Sequence, residues 1–452
     1  MLLLNSENSS SEKLNWLEKQ FRMKELGTNV KKETLAGITT FVSMAYILFV
    51  NPSVLGASGM DKGAVFTATA LSAILGCLLM AFLANYPIAI APGLGDNAFF
   101  TYSVVLAMGI KWQTALAGVV VASIIFTILT FFKIREIVIN AIPHNLKLAM
   151  AAGIGMFIAF IGLQGGGLVV ASKSSLVQLG SLTVPTTWLT IFGLFVTALL
   201  MARKVPGSIF IGIVATAILG LVTGLIKAPS QIVSSIPSMK PTFAVGIKHL
   251  GDVNTPQMWA VVLIFLLVAF FDTAGTLIGL AQQAGLMKND KMPRIGQALM
   301  ADSVSMLAGS VMGTTPTAAY VESSAGIAVG GRTGFTALVV AVLFGFGMFF
   351  SPLLSVVTTQ VTAPALIIVG ALMAQSLKEI EWDKFEIALP AFLTVIAMPL
   401  TYNISYGFAF AFLIYPITMI AAGRKKELNP VVIALFFVFI VMLYVLNVLP
   451  SK

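Results

Sequence analysis

The chain has 452 residues, 58% of them hydrophobic and 10% charged, with a mean hydropathy of +0.96. A soluble domain carries roughly 25% charged residues, so this composition leaves too little polar surface to cover a water-soluble globule. The net charge of +9 is spread over short loops between apolar runs, which argues against a nucleic-acid partner.

Residues 1–30 are polar and of mixed charge, and Leu2–Leu4 is too short for the apolar core of a signal peptide. They are expected to form a cytoplasmic tail, with the first apolar helix acting as the insertion signal. Spans are predicted at 34–50, 64–84, 88–108, 113–132, 146–164, 187–202 and 207–226, within a first unit covering 31–228. An external connection, 229–257, leads to a second unit, 258–423, with spans at 258–282, 295–313, 315–330, 334–354, 362–377, 386–402 and 405–422. A last apolar run, 430–449, falls in a C-terminal segment, 424–452. These runs approach the ~20 residues that cross a bilayer as a helix. They are continuously apolar, unlike the alternating segments of a membrane barrel.

With the N-terminus in the cytoplasm, 20 of the 27 Lys and Arg residues fall on the inside and 7 on the outside. Cytoplasmic loops carry such an excess, so the basic residues read as topology signals. Cys77 is the only cysteine and lies in an apolar run, which excludes disulfides and Cys-based metal centres. His144 and His249 lie in or near loops, and no HExxH, P-loop or kinase motif is present. No enzyme chemistry, metal or cofactor is expected.

Transporters often carry internal repeats. Residues 113–120 (QTALAGVV) overlay 335–342 (FTALVVAV) at a shift of 222, which sets Gly109 on Gly331 and Phe100 on Glu322. Seven spans followed by seven of opposite orientation result, with 430–449 as an extra helix.

Two spans are broken. Pro87, Pro92, Gly93 and Gly95 interrupt the third; Gly313, Thr314, Thr315, Pro316 and Thr317 interrupt the tenth. Proline removes a backbone donor and glycine relaxes the turn. Non-helical backbone at membrane depth is tolerated where it is protein-buried or lines a cavity, and the half-helix starts can face a polar ligand. A plain kink or a close helix contact is the structural alternative.

Four acids lie in apolar segments: Asp96, Asp272, Asp302 and Glu322. An acid at a helix centre costs approximately 2.5–3.5 kcal/mol on insertion scales and marks ion or substrate pathways. Glu322 follows Tyr320 at the start of a half-helix, where the N-terminal dipole is expected to favour its charge. Asp272 stands in AFFDTAGTLIG beside hydroxyls such as Thr273. Asp302 has two readings, a coupling-ion ligand or a tie between helices. Asn97 is expected to open the half-helix of the third span as an N-cap or to meet a planar ligand with its amide. Phe99 and Phe100 either stack on a ring or pack on neighbours.

At these segments the sequence resembles the AzgA-like branch of the nucleobase–cation symporters. The resemblance rests on 27–50 (GTNVKKETLAGITTFVSMAYILFV), 85–100 (NYPIAIAPGLGDNAFF), 271–279 (FDTAGTLIG) and 313–334 (GTTPTAAYVESSAGIAVGGRTG), and continues through 363–372 and 390–402. It implies an all-α polytopic membrane protein of the uracil-permease-like fold: two inverted seven-helix repeats arranged as a core and a gate domain, with short extended stretches in spans three and ten. It implies adenine, guanine or hypoxanthine taken up with protons across the cell membrane, sodium remaining open as the coupling ion and a homodimer possible. Asp272 and Glu322 match the acids of spans eight and ten, and Asn97 the polar residue of span three. Thr273, Tyr320, Val321 and Phe99 are candidates by adjacency. Asp96 departs from the family pattern, which has an apolar residue there; substrate preference, proton coupling and impaired transport all stay open as its effect. A uracil or other small-solute carrier of the same fold is the alternative, and a channel a more distant one.

Overall fold

The computed structural model describes residues 16–134, 141–287 and 292–448, with the side chains of 271, 272, 274, 275, 447 and 448 outside the description. Helices α1 (Val30–Met44) and α2 (Ile47–Gly56) form the first span, interrupted at Ala45–Tyr46. Helix α3 (Lys62–Leu79) starts where the Asp61 carboxylate accepts from the Ala64 amide at 2.7 Å, and ends in wider π-type turns over Met80–Ala84. Strand β1 (Ile90–Pro92) and helix α4 (Leu94–Ala98) follow, and α4 runs on in π-type turns over Phe99–Ala107.

Helices α5 (Trp112–Phe131) and α6 (His144–Gly165) come next. A hairpin of β2 (Val169–Ser172) and β3 (Leu176–Leu179) then leads to α7 (Pro185–Ala202) and α8 (Ser208–Val222). The second half begins with α9 (Pro256–Gln283), capped by the Thr255 hydroxyl with Pro256 in the first turn. Proline fits there because that N–H has no helical partner. Helix α10 (Ile295–Met312) ends at Gly313, whose φ of +98° an L side chain would strain.

Strand β4 (Thr317–Ala319), helix α11 (Ser323–Ala328), α12 (Gly334–Gly347), α13 (Thr359–Met373), α14 (Phe385–Thr401), α15 (Ile404–Ala421) and α16 (Pro430–Val448) complete the chain. Tight 3-10 turns extend α12 through Val356 and α13 through Glu379. Among the described residues, eight helices are long and apolar enough to cross a membrane by length and composition, and four more are apolar but shorter. The chain is a multi-pass, all-α membrane protein.

Two bundles form, each from both halves of the sequence. The core bundle packs α1 to α5 against α9 to α12; the gate bundle packs α6, α7 and α8 against α13, α14 and α15. Helix α16 touches one member of each, α15 and α9. The Phe412 and Phe439 rings stack at 5.2 Å with an interplanar angle of 15°, so the last helix is packed through aromatic surface.

Two features lie beyond the sequence expectations. The segment before the first span is docked: Phe21 and Met23 are buried, and the Phe21 ring meets Phe82 and Phe335, each at 5.6 Å. The Asn85 amide donates to the Phe21 carbonyl at 3.0 Å and accepts from the Gly334 amide at 2.7 Å. The repeat also has no constant shift. Trp112 and Gly334 begin α5 and α12, 222 positions apart, whereas Leu94 and Ser323 begin the half-helices, 229 apart. The half-helix of span three is the longer one, so Phe100 is not the counterpart of Glu322; the N-cap positions Gly93 and Glu322 correspond instead.

Candidate substrate site

The two broken spans meet. Strands β1 and β4 pair antiparallel, Ile90 opposite Ala319, Ala91 opposite Ala318 and Pro92 opposite Thr317. The ladder continues beyond its ends. The Gly93 amide donates to the Pro316 carbonyl at 2.9 Å, and the Tyr320 amide donates to the Ala89 carbonyl at 3.0 Å. The Ala89 amide in turn donates to the Ser323 hydroxyl at 3.0 Å. Each break thus supplies the hydrogen-bond partners the other has lost, which is how non-helical backbone persists at membrane depth. Gly76 on α3 makes room: a Cβ there would lie 2.6 Å from the Ser305 hydroxyl and 2.7 Å from the Ile90 side chain.

The predicted residues gather around this crossing in different ways. Tyr320 is buried, and its hydroxyl donates to the Pro92 carbonyl at 2.5 Å, stapling one break to the other. Asn97 is buried inside α4; Gly93 occupies the N-cap position, so the expected capping role is corrected. Its side-chain carbonyl accepts from the Thr315 hydroxyl, while Nδ2 has no hydrogen-bond partner among the described residues. Thr273 on α9 is likewise buried with an unpartnered hydroxyl. Helix α9 packs on β4 and α4. Asp272 stands on it, with its side chain outside the described residues.

Glu322 immediately precedes α11, a helix of only 6 residues. So short a helix sums few peptide dipoles; the Tyr46 hydroxyl instead donates to Glu322 Oε1 at 2.5 Å. Val321 is 57% exposed and opens onto a cavity of about 480 Å³ shared with Thr276, Gln283, Gln375 and Lys378. This cavity separates the α9 and α11 ends of the core bundle from α6 and α13 of the gate bundle. The Phe99 ring packs edge-on against Phe265 of α9 at 4.9 Å. Asp96 is buried in the first turn of α4. Asp302 is buried within α10, next to Ser303, whose hydroxyl lies 2.8 Å from that of Thr130.

Sequence reasoning missed Tyr46, Thr315 and Asn51. The Asn51 amide donates to the Thr69 hydroxyl at 2.7 Å and the Thr314 hydroxyl at 2.9 Å, tying the first two spans to the second break. A signal was present: Asn51 adjoins Pro52 inside an otherwise apolar run, and Tyr46 is the only tyrosine of its span.

The arrangement offers a planar polar ligand unpartnered amide and hydroxyl groups, a carboxylate and an adjoining cavity. Comparison with known proteins gives the same direction. The chain is 54% identical over 429 residues to the guanine/hypoxanthine permease PbuG of Bacillus subtilis, covering 93% of this chain and 98% of that one. It is 41% identical over 441 residues to the adenine permease AdeQ of Escherichia coli, covering 96% and 98%. Its fold matches the transmembrane domain of a cyanobacterium bicarbonate transporter, BicA, with a TM-score of 0.60 at 16% identity, over 87% of this chain and 97% of that one. Residues 31–410 match the model of the permease family Xan_ur_permease, and the chain belongs to that family.

Proposed function

We propose that this chain is a secondary active transporter that imports purine nucleobases, adenine, guanine or hypoxanthine, by proton symport with alternating access. The observation that carries the reading is the antiparallel crossing of β1 and β4, which brings together the segments that carry Asn97, Tyr320, Val321 and Glu322, with α9, the helix of Thr273, packed on β4 and α4. The permease relatives named above support the substrate class.

A purine offers ring N–H donors, carbonyl or ring-nitrogen acceptors and two flat faces. The carboxylates of Glu322 and Asp272 accept the N–H groups, and the Asn97 amide donates to an acceptor. One of the two acids carries the coupled proton, with Asp302 and Asp96 as further candidates. The core bundle holds substrate and moves against the gate bundle. The cavity beside Val321 is lined by Lys378, which the loop-charge count sets on the inside, so its release side is the cytoplasm. The N-terminus is cytoplasmic, the membrane is the cell membrane, and units 31–228 and 258–423 are the two inverted repeats.

The test is uptake of labelled hypoxanthine and adenine by Glu322→Gln and Asp272→Asn variants that reach the membrane. Losing a buried partner costs roughly 1–3 kcal/mol, so uptake is expected to fall about fivefold to 150-fold for each. Near-wild-type uptake by both would sink the site assignment.

A further inference from the structure

The first span takes no part in the reading above, yet it follows the chain from Glu322 to the start of α12. Tyr46 lies at the interruption between α1 and α2, is 1% exposed, and donates to Glu322 Oε1 at 2.5 Å. A hydroxyl that donates to a carboxylate is among the stronger hydrogen bonds when the acid is ionised. It holds one oxygen of the Glu322 carboxylate in place.

The rest of α1 keeps Tyr46 in register with α11. Gly326, in the middle of α11, faces α1 so closely that a Cβ would lie 2.5 Å from the Ala36 carbonyl. At the far end the Glu33 carboxylate accepts from the Arg332 amide at 2.8 Å, the Thr333 amide at 3.3 Å and the Thr336 hydroxyl at 2.6 Å. Glu33 is 0% exposed. Helix α11 is therefore held at its Glu322 end by Tyr46 and in its middle by the close approach of α1 at Gly326, while Glu33 on the same span fixes the chain that leaves it, just ahead of α12. A six-residue helix has little rigidity of its own, and the clamp supplies it.

We propose that Tyr46 is a positioning residue for Glu322, aiming its carboxylate at the substrate so that substrate affinity depends on the tyrosine hydroxyl. This rests on the assignment of Glu322 to the substrate site.

The experiment measures KM and Vmax for labelled hypoxanthine in cells carrying wild type, Tyr46→Phe or Glu322→Gln, with membrane abundance and the melting temperature of solubilised protein measured in parallel. Phenylalanine keeps the ring and removes one oxygen. Loss of a hydrogen bond to a charged group should raise KM by about tenfold or more, with abundance, melting temperature and Vmax near wild type. An unchanged KM in Tyr46→Phe beside a strong defect in Glu322→Gln overturns the proposal and leaves the site standing. A fall in abundance and Vmax at constant KM makes Tyr46 merely structural and also overturns it. Normal uptake by Glu322→Gln removes Glu322 from the site and this proposal with it. If Tyr46→Phe does not accumulate, Tyr46→Leu is assayed by hypoxanthine binding to solubilised protein under the same criteria.

Discussion

The carboxylate of Glu33 and the hydroxyl of Thr336 are 303 positions apart in the chain and 2.6 Å apart in space. Glu33 sits in the first turn of α1, and its two oxygens also cover the backbone donors of Arg332 and Thr333 just ahead of α12. Removing it leaves buried N–H and O–H groups unpaired. Glu33→Ala is expected to destabilise the folded protein by roughly 1–3 kcal/mol, visible as a lower melting temperature and lower membrane abundance. An unchanged melting curve would refute the clamp.

Thr315→Val removes the hydroxyl that donates to Asn97 while keeping the side-chain volume nearly constant. The Asn97 amide is then free to rotate. Uptake of hypoxanthine should fall by about tenfold with little change in melting temperature, since a hydrogen bond contributes about 1 kcal/mol and a misaligned amide costs ligand pairing as well. A drop in stability with normal KM would assign Thr315 to packing alone.

Gly326→Val forces side-chain atoms onto the Ala36 carbonyl and the Thr40 side chain. Overpacking of this kind costs typically 1–3 kcal/mol, and here the clash is with backbone, which cannot rotate away. Little protein should reach the membrane, as an immunoblot of the membrane fraction would record. Wild-type abundance would mean that α1 and α11 separate readily.

Outside the membrane, Glu381 links α6 to the connection between α13 and α14. The Asn145 side-chain amide donates to its carboxylate at 2.9 Å, and the Glu381 backbone amide donates to Asn145 Oδ1 at 3.1 Å. The Lys384 ammonium first, and the Asn145 amide second, hold the Glu381 carboxyl below its usual range. A depressed carboxyl contributes stability that is complete above the ordinary value, about 4.3, and is lost as pH falls through the folded value. Wild type should therefore melt above Glu381→Gln by a constant margin from neutral pH down to about 5, and the margin should close in more acidic buffer. A margin independent of pH would place the effect in the neutral hydrogen bonds.

Hydropathy located the apolar helices well because a membrane helix announces itself over many residues. The breaks were legible for a similar reason: proline and glycine act on their own backbone. What the sequence concealed are pairings whose two members are far apart. Tyr46 looks like one more aromatic in an apolar run until Glu322 is set beside it, 276 positions later. Asn97 has the composition of a cap, yet Gly93 fills that role and the amide turns to Thr315. The docking of Phe21 escaped notice because a single buried aromatic among polar neighbours has no periodicity. The repeat was readable at α5 and α12, where the helices match, and misled at the breaks, where the half-helices differ in length.

Helix α16 touches α9 in the core bundle and α15 in the gate bundle. On the proposed movement of the core bundle against the gate bundle, the stacked Phe412 and Phe439 rings hold it to α15, so the α9 contact is the one that slides. The last helix is then a passenger of the gate bundle, laid across the seam between the two.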